Sequence, residues 1–500
     1  MAPADHFRNR RSPDPTECRA PQRPPQPFPE DTVTFSGMAS LLDDSPAQTG
    51  PAKPATAPAA NGSAPASLPP GPRLPAAAQA LRLWRDPIRF LLGLRRRYGD
   101  VFTVSFPSFP RLVYVADPAL VKPIFTGDPR RFHAGEANAS VLEPALGSHS
   151  VLILDEDEHL RQRKLLLPQF HGESVRGYAG QMRQIAAADM DTWPLRHPFA
   201  LRPHTQRITL DIILRTVFGV RQAERFARAQ RLVEEFARRS HAVLLFPALR
   251  RRLGPLSPLA SFERARDALD EFIHEEIAKR RAASTDGDDV LSLLLGATHE
   301  DGSPMSDEEL RDELITVIGA GHETTATAIA WAVERLLRAP RVLARLRESL
   351  ASEDDEYLDL VIKETLRVRP VITDVARKLT KPTQIGGYKL PEGTFVLPAI
   401  IAIHHREDLY PEPFEFRPER FLEGQGEGYA WIPFGGGVRR CVGASFAQYE
   451  MRIVLGVIIE RAELRAAIPR PERLRPRNIT LAPARGTRVV LTQPLRPPRS

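Results

Sequence analysis

The sequence predicts a mainly α-helical protein with small β-sheets, and two kinds of pattern support this fold class. A long helix opens with a capping box at Ser306 and Glu309, and its apolar stripe continues to Pro340. Two stretches, VFTVSF with RLVYVAD and TQIGGYKLPEGTFVLP, alternate apolar and polar residues like β-hairpins. At about 1.5 Å per residue the long helix would cross a whole domain. We therefore expect it to run through the middle of the fold.

Two further elements are predicted near the end of the chain. The stretch ASFAQYEMRIVLGVIIERAEL has the apolar spacing of a helix, and RVVLTQ is typical of a short strand. The segment from residue 1 to 69 differs from everything after it, because stretches such as PAKPATAPAANGSAPASLPP have neither helical nor strand periodicity. We expect residues 1–69 to be disordered and residues 70–500 to form one functional domain.

Composition excludes several classes of protein. The 500 residues include 2 cysteines, too few for a disulfide framework or a zinc site built from cysteine ligands. No long apolar run or signal peptide is recognisable, which predicts a cytoplasmic protein with no transmembrane anchor. The net charge of +7 does not by itself indicate nucleic-acid binding. We expect a monomer with no nucleic-acid partner.

The cysteine in FGGGVRRCVG, Cys441, lies in a glycine-rich loop that leads into the ASFAQYE helix. Glycines permit a tight loop and close approach to a flat ligand, and a helix N-terminus favours a thiolate. A single thiolate suits a metal whose other ligands come from a cofactor, and haem iron meets that requirement. The alternative is a small buried apolar side chain, the common fate of a lone cysteine.

Four ordered motifs resemble those of the cytochrome P450 family. FGGGVRRCVG is similar to its haem-ligand signature, AGHETT to its oxygen-activation motif, ETLR to its Glu-x-x-Arg motif and FRPERF to the segment before the haem loop. The resemblance implies the cytochrome P450 fold, with haem b (iron protoporphyrin IX) between the long central helix and the Cys-loop helix. It also implies that Cys441 is the axial ligand of the haem iron.

The resemblance assigns further residues to the cofactor. His159 and Arg163 in HLRQRK, together with Arg377 and Arg439, would hold the haem propionates, because a buried dianionic edge needs cationic or hydrogen-bonding partners. The alternative for His159 is a residue on the surface of a helix.

The ETLR and FRPERF motifs imply a structural role. Glu364 and Arg367 lie one turn apart on a helix and would pair with Arg420 in a buried ion network that supports the haem loop.

The catalytic candidates are Glu323 and Thr324, at the midpoint of the long helix. An adjacent carboxylate and hydroxyl can relay protons into a mostly dry pocket. Alternatively, Thr324 bonds back to its own helix and Glu323 is a solvated surface acid.

The resulting hypothesis is a haem-thiolate monooxygenase that inserts one atom of dioxygen into a lipophilic small molecule, such as a fatty acid, terpenoid or steroid. Electrons would come from a separate ferredoxin and ferredoxin reductase, and Arg161, Lys164, Arg440 and Arg452 would present a basic surface to an acidic ferredoxin. Residues 131–150 and 241–259 would cap the distal pocket.

Other functions remain open at this point. A peroxide-using haem-thiolate enzyme or an isomerase of the same fold would need no reductase. A haem-based sensor would explain the thiolate but not the acid and alcohol pair. A haem-free interaction protein would not explain the intact cysteine loop.

Overall fold

The computed structural model describes residues 68–107, 109–220, 222–251, 254–283, 287, 289–477 and 479–497. The segment predicted to be disordered, residues 1–69, lies outside these ranges except for Leu68 and Pro69. The Thr103 hydroxyl donates a hydrogen bond of 2.7 Å to the Pro69 carbonyl, which ties the start of the described chain to the first strand. The boundary at residue 70 stays a prediction.

Helices make up most of the described chain. The α-helices are α1 Ala76–Arg85, α2 Pro87–Tyr98, α3 Pro118–Thr126, α4 Gly135–Leu146, α5 Glu156–Leu166, α6 Glu173–Gly177, α7 Ala179–Met190, α8 Leu201–Phe218, α9 Ala223–Leu245, α10 Pro258–Ala283, α11 Val290–Gly296, α12 Asp307–Leu336, α13 Pro340–Ala351, α14 Glu356–Val368, α15 Ile400–His404 and α16 Ala444–Arg461. The mainly α fold class is confirmed.

The strands are short and form small sheets. They are β1 Val101–Phe106, β2 Phe109–Val115, β3 Phe132–His133, β4 Pro198–Ala200, β5 Arg377–Leu379, β6 Thr383–Ile385, β7 Tyr388–Leu390, β8 Phe395–Pro398, β9 Leu464–Ala466, β10 Leu474–Arg477, β11 Thr480–Pro483 and β12 Arg488–Leu491. The largest sheet has the order β1-β2-β8-β5-β3, and β4, β12 and β9 form a second sheet. Two-stranded pairs, β6 with β7 and β10 with β11, complete the set.

The long helix begins where the sequence predicts. The Ser306 hydroxyl accepts from the Glu309 N–H and the Glu309 carboxylate accepts from the Ser306 N–H, so both halves of the capping box form. Every residue from Thr325 to Leu336 is buried, and the helix contacts α8, α10, α14 and α16. A helix buried on all sides lies in the core of its protein. The central position of α12 is therefore confirmed.

Two boundaries differ from the sequence prediction. The TQIGGYKLPEGTFVLP hairpin consists only of β6 and β7, joined at Gly386 and Gly387, which both have positive φ as a two-residue hairpin turn requires. FVLP forms β8 and pairs in parallel with β2, because this strand is apolar and belongs inside the main sheet. The last helix ends at Arg461 and not at Leu464, which instead starts β9 and pairs with β12.

Candidate active site

The Cys441 loop is a tight turn that packs against α3. The Cys441 N–H donates to the Phe434 carbonyl at 3.0 Å, and a 3₁₀ turn spans Gly437–Arg439 between them. Gly437 has a φ of 64°, and a Cβ there would lie 1.7 Å from the Phe125 carbonyl oxygen. The glycine is required both by its backbone conformation and by the close approach of α3. The loop delivers Cys441 to the start of α16.

The Cys441 side chain is a free thiol that is accessible yet enclosed. The residue is exposed to solvent, and the protein atoms around the sulfur nevertheless raise its thiol pKa by desolvation. The Gly443 N–H and the nearby Arg163 and Arg440 favour the thiolate, as the loop sequence predicts, but their effect is smaller than that of burial. A metal cation at the sulfur would supply the additional positive charge that a thiolate needs.

The four residues predicted to hold propionates form one cationic cluster. His159 is buried, and burial together with Arg439, Arg163 and Arg377 lowers its pKa to about 3. The imidazole is therefore neutral and surrounded by three guanidinium groups. Its buried position contradicts the alternative of a helix-surface histidine.

The three arginines of this cluster differ in their hydrogen bonds and salt bridges. Arg439 donates to the Asp155 carboxylate at 2.5 Å and to the Val151 carbonyl at 3.2 Å. Within the described residues, Arg163 and Arg377 form no salt bridge, and Arg377 donates only to the carbonyl of its neighbour Ala376. Burial and Arg439 lower the pKa of Arg377 to about 10. The cluster thus has more positive charge than its protein neighbours balance.

At the midpoint of α12 the two catalytic candidates point to different partners. The Thr324 hydroxyl donates to the Ala320 carbonyl at 2.6 Å, so the predicted alternative of back-bonding does occur. Because its proton is engaged, the hydroxyl oxygen can take part in a further hydrogen bond only as an acceptor. Gly319 and Ala320 are exposed although the rest of the helix nearby is mostly buried, which indicates a cleft at this level of α12.

Glu323 is not a solvated surface acid. Its side chain is 14% exposed, and its carboxylate accepts from Arg202 of α8 at 2.5 Å. Arg202 also donates to the Thr327 hydroxyl at 3.3 Å. Sequence reasoning missed Arg202, whose one signal was a cation at the start of a helix rich in apolar residues.

The Glu364 network is complete within the protein. Arg367 donates both Nε and Nη2 to the two carboxylate oxygens of Glu364, at 2.7 and 2.8 Å, and Arg420 donates to the same carboxylate at 3.1 Å. All three side chains are fully buried. The Arg367 guanidinium also donates to the His404 and Pro413 carbonyls, at 2.7 and 2.8 Å. These bonds join α14 to the segment that precedes the Cys441 loop.

The basic residues predicted to face a ferredoxin are not equivalent. Lys164 pairs with Glu300 and Arg452 pairs with Asp359. In the part of the chain that the structure describes, Arg161 and Arg440 are exposed and form no salt bridge. Their charge is the part of this surface that remains available to a partner.

Two buried carboxyl groups, one on α12 and one on the neighbouring α16, were missed from the sequence. Glu313 accepts from the Val151 N–H at 2.8 Å, and Glu450 of α16 bonds to Thr325. Burial raises the pKa of both groups well above the usual range, which favours their protonated forms. An acid inside an otherwise apolar helical stripe, as in YEMRIVLGVII, was the available signal.

The site fits a haem-type cofactor. No cluster of His, Cys, Asp or Glu among the described residues could hold a metal ion by itself, so Cys441 would need a metal that brings other ligands. The unbalanced cations match a buried anionic edge. Among the described helices, none has the length and apolar character that a membrane span requires.

Comparison with known sequences gives one family. Residues 65–486 match the model for cytochrome P450. The chain is 42% identical over 452 residues to cytochrome P450 135B1 of Mycobacterium tuberculosis, covering 86% of this chain and 92% of that protein. It is 41% identical over 418 residues to cytochrome P450 137 of the same species, covering 83% and 87% of the two chains.

Solved structures give the same fold. Retinoic-acid-bound cyanobacterial CYP120A1 superimposes with a TM-score of 0.75 at 24% identity, covering 85% of this chain and 99% of that one. The haem domain of cytochrome P450DA also has a TM-score of 0.75 at 24% identity, covering 87% and 98%. At this identity the likeness shows the fold alone.

Proposed function

Since the chain belongs to the cytochrome P450 family, we propose that Cys441 ligates the iron of haem b and that the enzyme oxygenates a lipophilic small molecule. The chain is a P450 monooxygenase, an oxidoreductase that uses haem, dioxygen and a redox partner. The proposal goes beyond family membership in four respects: the form of the haem, the residues that hold it, the substrate class and the identity of the electron donor.

The observation that carries the proposal is the enclosed Cys441 thiol beside an unbalanced cationic cluster. Cys441 would ligate the iron, and His159, Arg163, Arg377 and Arg439 would bind the propionates. Arg163 and Arg377 form no salt bridge among the described residues, so they are the cations most available to an anionic group. A cation already desolvated at the site gains more from such a partner than an exposed one does.

The Glu364, Arg367 and Arg420 network would hold the scaffold of the haem loop. Its bonds run from α14 to the carbonyls of residues 404–415, which lead towards the loop. Because every charge in it already has a partner, the network has no capacity to bind a ligand. Its proposed role is structural.

When bound, haem supplies the redox chemistry and the site at which dioxygen is reduced. Thr324 accepts a hydrogen bond in the pocket because its own proton is given to the Ala320 carbonyl. Arg202 holds the Glu323 carboxylate in place, and Glu323 would carry protons towards the pocket. Together they would deliver protons from the exterior to the distal side.

The substrate is proposed to be a fatty acid, terpenoid or steroid-like molecule. The helices that surround the exposed stretch of α12 contribute mainly apolar side chains to the core, and apolar pockets bind apolar ligands. A ferredoxin with its reductase is the proposed electron source, because Arg161 and Arg440 offer unpaired positive charge to an acidic partner. A cytoplasmic location remains part of this proposal.

The direct test is the spectrum of the reduced protein with carbon monoxide. Thiolate ligation gives a strongly red-shifted Soret band, and Cys441→Ser should lose it along with oxygenation. Cys18→Ser is the matched control because it removes the other cysteine of the chain. A red-shifted band that survives Cys441→Ser would overturn the assignment of the ligand.

The substrate proposal needs its own measurement. A panel of fatty acids, terpenoids and steroids should be screened for low-spin to high-spin Soret shifts, followed by turnover with ferredoxin, ferredoxin reductase and NAD(P)H. Turnover with hydrogen peroxide but never with the reductase system would favour the peroxide-using alternative.

A further inference from the structure

One arginine joins two helices on the proposed distal side without using a carboxylate. The Arg250 guanidinium donates to the Val243 and Leu244 carbonyls in the last turn of α9, at 3.0 and 3.1 Å. Its third bond, of 2.8 Å, goes to the Ser140 carbonyl in α4. Arg250 therefore bridges the end of one helix and the middle of another.

The carbonyls that Arg250 binds are those that the helices leave without a donor. Val243 and Leu244 lie in the final turn of α9, whose carbonyls have no following N–H groups in the helix. Ser140 lies in mid-helix, but the residue four positions later is Pro144, which has no N–H. The proline thus frees the Ser140 carbonyl. A planar guanidinium with several N–H groups can satisfy all three acceptors at once.

The position of this bridge connects it to α12. α4 contacts α9 and α12, and Val243, next to the bridge, is fully buried in the core cluster that includes the first half of α12. Outside the bridge, Phe246 is 51% exposed. An exposed aromatic ring beside the junction of two helices would favour a lipophilic molecule arriving from solvent.

We propose that Arg250 is a latch that holds α4 against the end of α9, and that a lipophilic ligand enters the pocket when the bond to Ser140 opens. The inference rests on the proposed function, since it requires the pocket to lie beneath these helices. Arg250 is a positioning residue in this scheme and does not contact the reacting atoms.

The solvent exposure of the three hydrogen bonds indicates which of them opens. The bond to Ser140 is solvent-exposed, whereas the two bonds to α9 are partly buried. A net hydrogen bond of ordinary strength changes an equilibrium about threefold to tenfold. Arg250 should stay with α9 and release α4, and the open state should be a readily populated minority.

The test measures how fast a bulky azole, clotrimazole, binds to the haem-loaded full chain and leaves it, followed by the Soret shift in stopped flow. Arg250→Ala should raise both the association and the dissociation rate constants about threefold to tenfold. The equilibrium Kd should stay nearly the same, because the latch is closed in both the free and the ligand-bound protein and easier opening speeds entry and release alike. Arg251→Ala is the matched control, since Arg251 is exposed and neighbours the latch.

A second variant keeps the arginine in place. Pro144→Ala supplies an N–H that competes for the Ser140 carbonyl, so both rate constants should rise in the same direction as in Arg250→Ala but less. Arg250→Lys should fall between wild type and Arg250→Ala, because an ammonium cannot reach three carbonyls in the geometry of a guanidinium. The small ligand imidazole should respond less than clotrimazole in every variant.

Hydrogen exchange of the haem-loaded protein gives a readout independent of ligand binding. Amides of residues 137–146 and 243–250 should exchange faster in Arg250→Ala than in Arg251→Ala. Three outcomes would each overturn the latch. The first is a changed Kd with an unchanged association rate constant, and the second is an equal effect of Arg250→Ala and Arg251→Ala on the rate constants. The third is hydrogen exchange that stays the same in Arg250→Ala. If clotrimazole gives no Soret shift in wild type while exchange responds as expected, the proposed pocket fails and the contact between the two helices stands.

Discussion

Two clusters of arginines in this protein are built in opposite ways. Around Glu364, two guanidinium groups share one carboxylate, and the remaining N–H groups of Arg367 reach backbone carbonyls. Around His159, three guanidinium groups converge, and Asp155 is paired with only one of them. The first cluster is complete without a ligand, whereas the second one has excess positive charge. Charge balance therefore distinguishes the structural network around Glu364 from the proposed binding site around His159.

Breaking the complete network should have the largest effect. Glu364→Gln leaves Arg367 and Arg420 buried without their counter-charge, which costs about 3–5 kcal/mol of stability. We expect a large fall in the thermal midpoint and in haem incorporation. Glu275→Gln is the control, because its salt bridge with Arg228 is exposed and contributes less than about 1 kcal/mol. Equal effects of the two variants would contradict the structural role of the buried network.

Removing a cation from the incomplete cluster should weaken haem binding and leave folding intact. Arg163→Ala is expected to speed haem transfer to excess apomyoglobin by about tenfold or more, because a charge-assisted hydrogen bond contributes about 1.5–3 kcal/mol. Arg161→Ala, on the same helix but exposed, should change the transfer rate little. If the Arg161 variant loses haem as fast as the Arg163 variant, the cluster is not the propionate site.

Asp374, which forms no salt bridge within the described part of the chain, allows a pH test of how charge balance affects a buried group. Burial raises the pKa of Asp374 to about 6, against hydrogen bonds from Thr373 and Tyr114 that lower it. Between about pH 4 and 6 the folded state keeps this proton and the unfolded state loses it, so stability falls as pH rises through that range.

The Asp374 contribution is measurable by comparison with Asp374→Asn, which does not titrate. Relative to this variant, wild type should lose about 1–2 kcal/mol between pH 5 and pH 7.5 and nothing more above that. Thermal midpoints of both proteins over this range provide the measurement. Parallel pH curves for the two proteins would refute the raised pKa.

Disrupting the proposed proton relay should change how many electrons end in product and should leave the stability of the fold nearly unchanged. Thr324→Ala should bind haem and substrate near normally, yet divert electrons into hydrogen peroxide and lower product formed per NAD(P)H. A tenfold loss of the productive route is only about 1.4 kcal/mol of barrier. Glu323→Gln should slow turnover, and peroxide-driven activity should suffer less in both variants. Unchanged coupling in Thr324→Ala would count against the relay.

The smallest effect is expected from the N-terminal segment. A chain that starts at Ser67 should fold, bind haem and turn over like the full chain, because residues 1–66 carry no periodicity and no motif. Its stability should differ from that of the full chain by less than about 0.5 kcal/mol. Loss of haem incorporation in the shortened protein would show that the segment packs against the domain.

Much of the candidate site could be predicted because its signals are local. The Ser306 capping box, the Glu364 and Arg367 pair one turn apart and the spacing of the Cys441 loop each depend on residues close in sequence. The partner of Glu323 could not be found in this way, since Arg202 is 121 positions away. Nor could the Arg439 contact with Asp155, which joins residues 284 positions apart.

The sequence by itself determined the helical class, the position of the long helix, the hairpin of β1 and β2 and the one cysteine in a loop that leads into a helix. Periodicity and capping act over one or two turns, so they can be recognised without a structure. Only the tertiary structure decided that FVLP joins the main sheet, that Glu323 pairs with Arg202 and that Arg250 reaches the carbonyl freed by Pro144. These contacts depend on how distant helices and strands pack, because burial leaves polar groups that must find partners wherever the fold brings them.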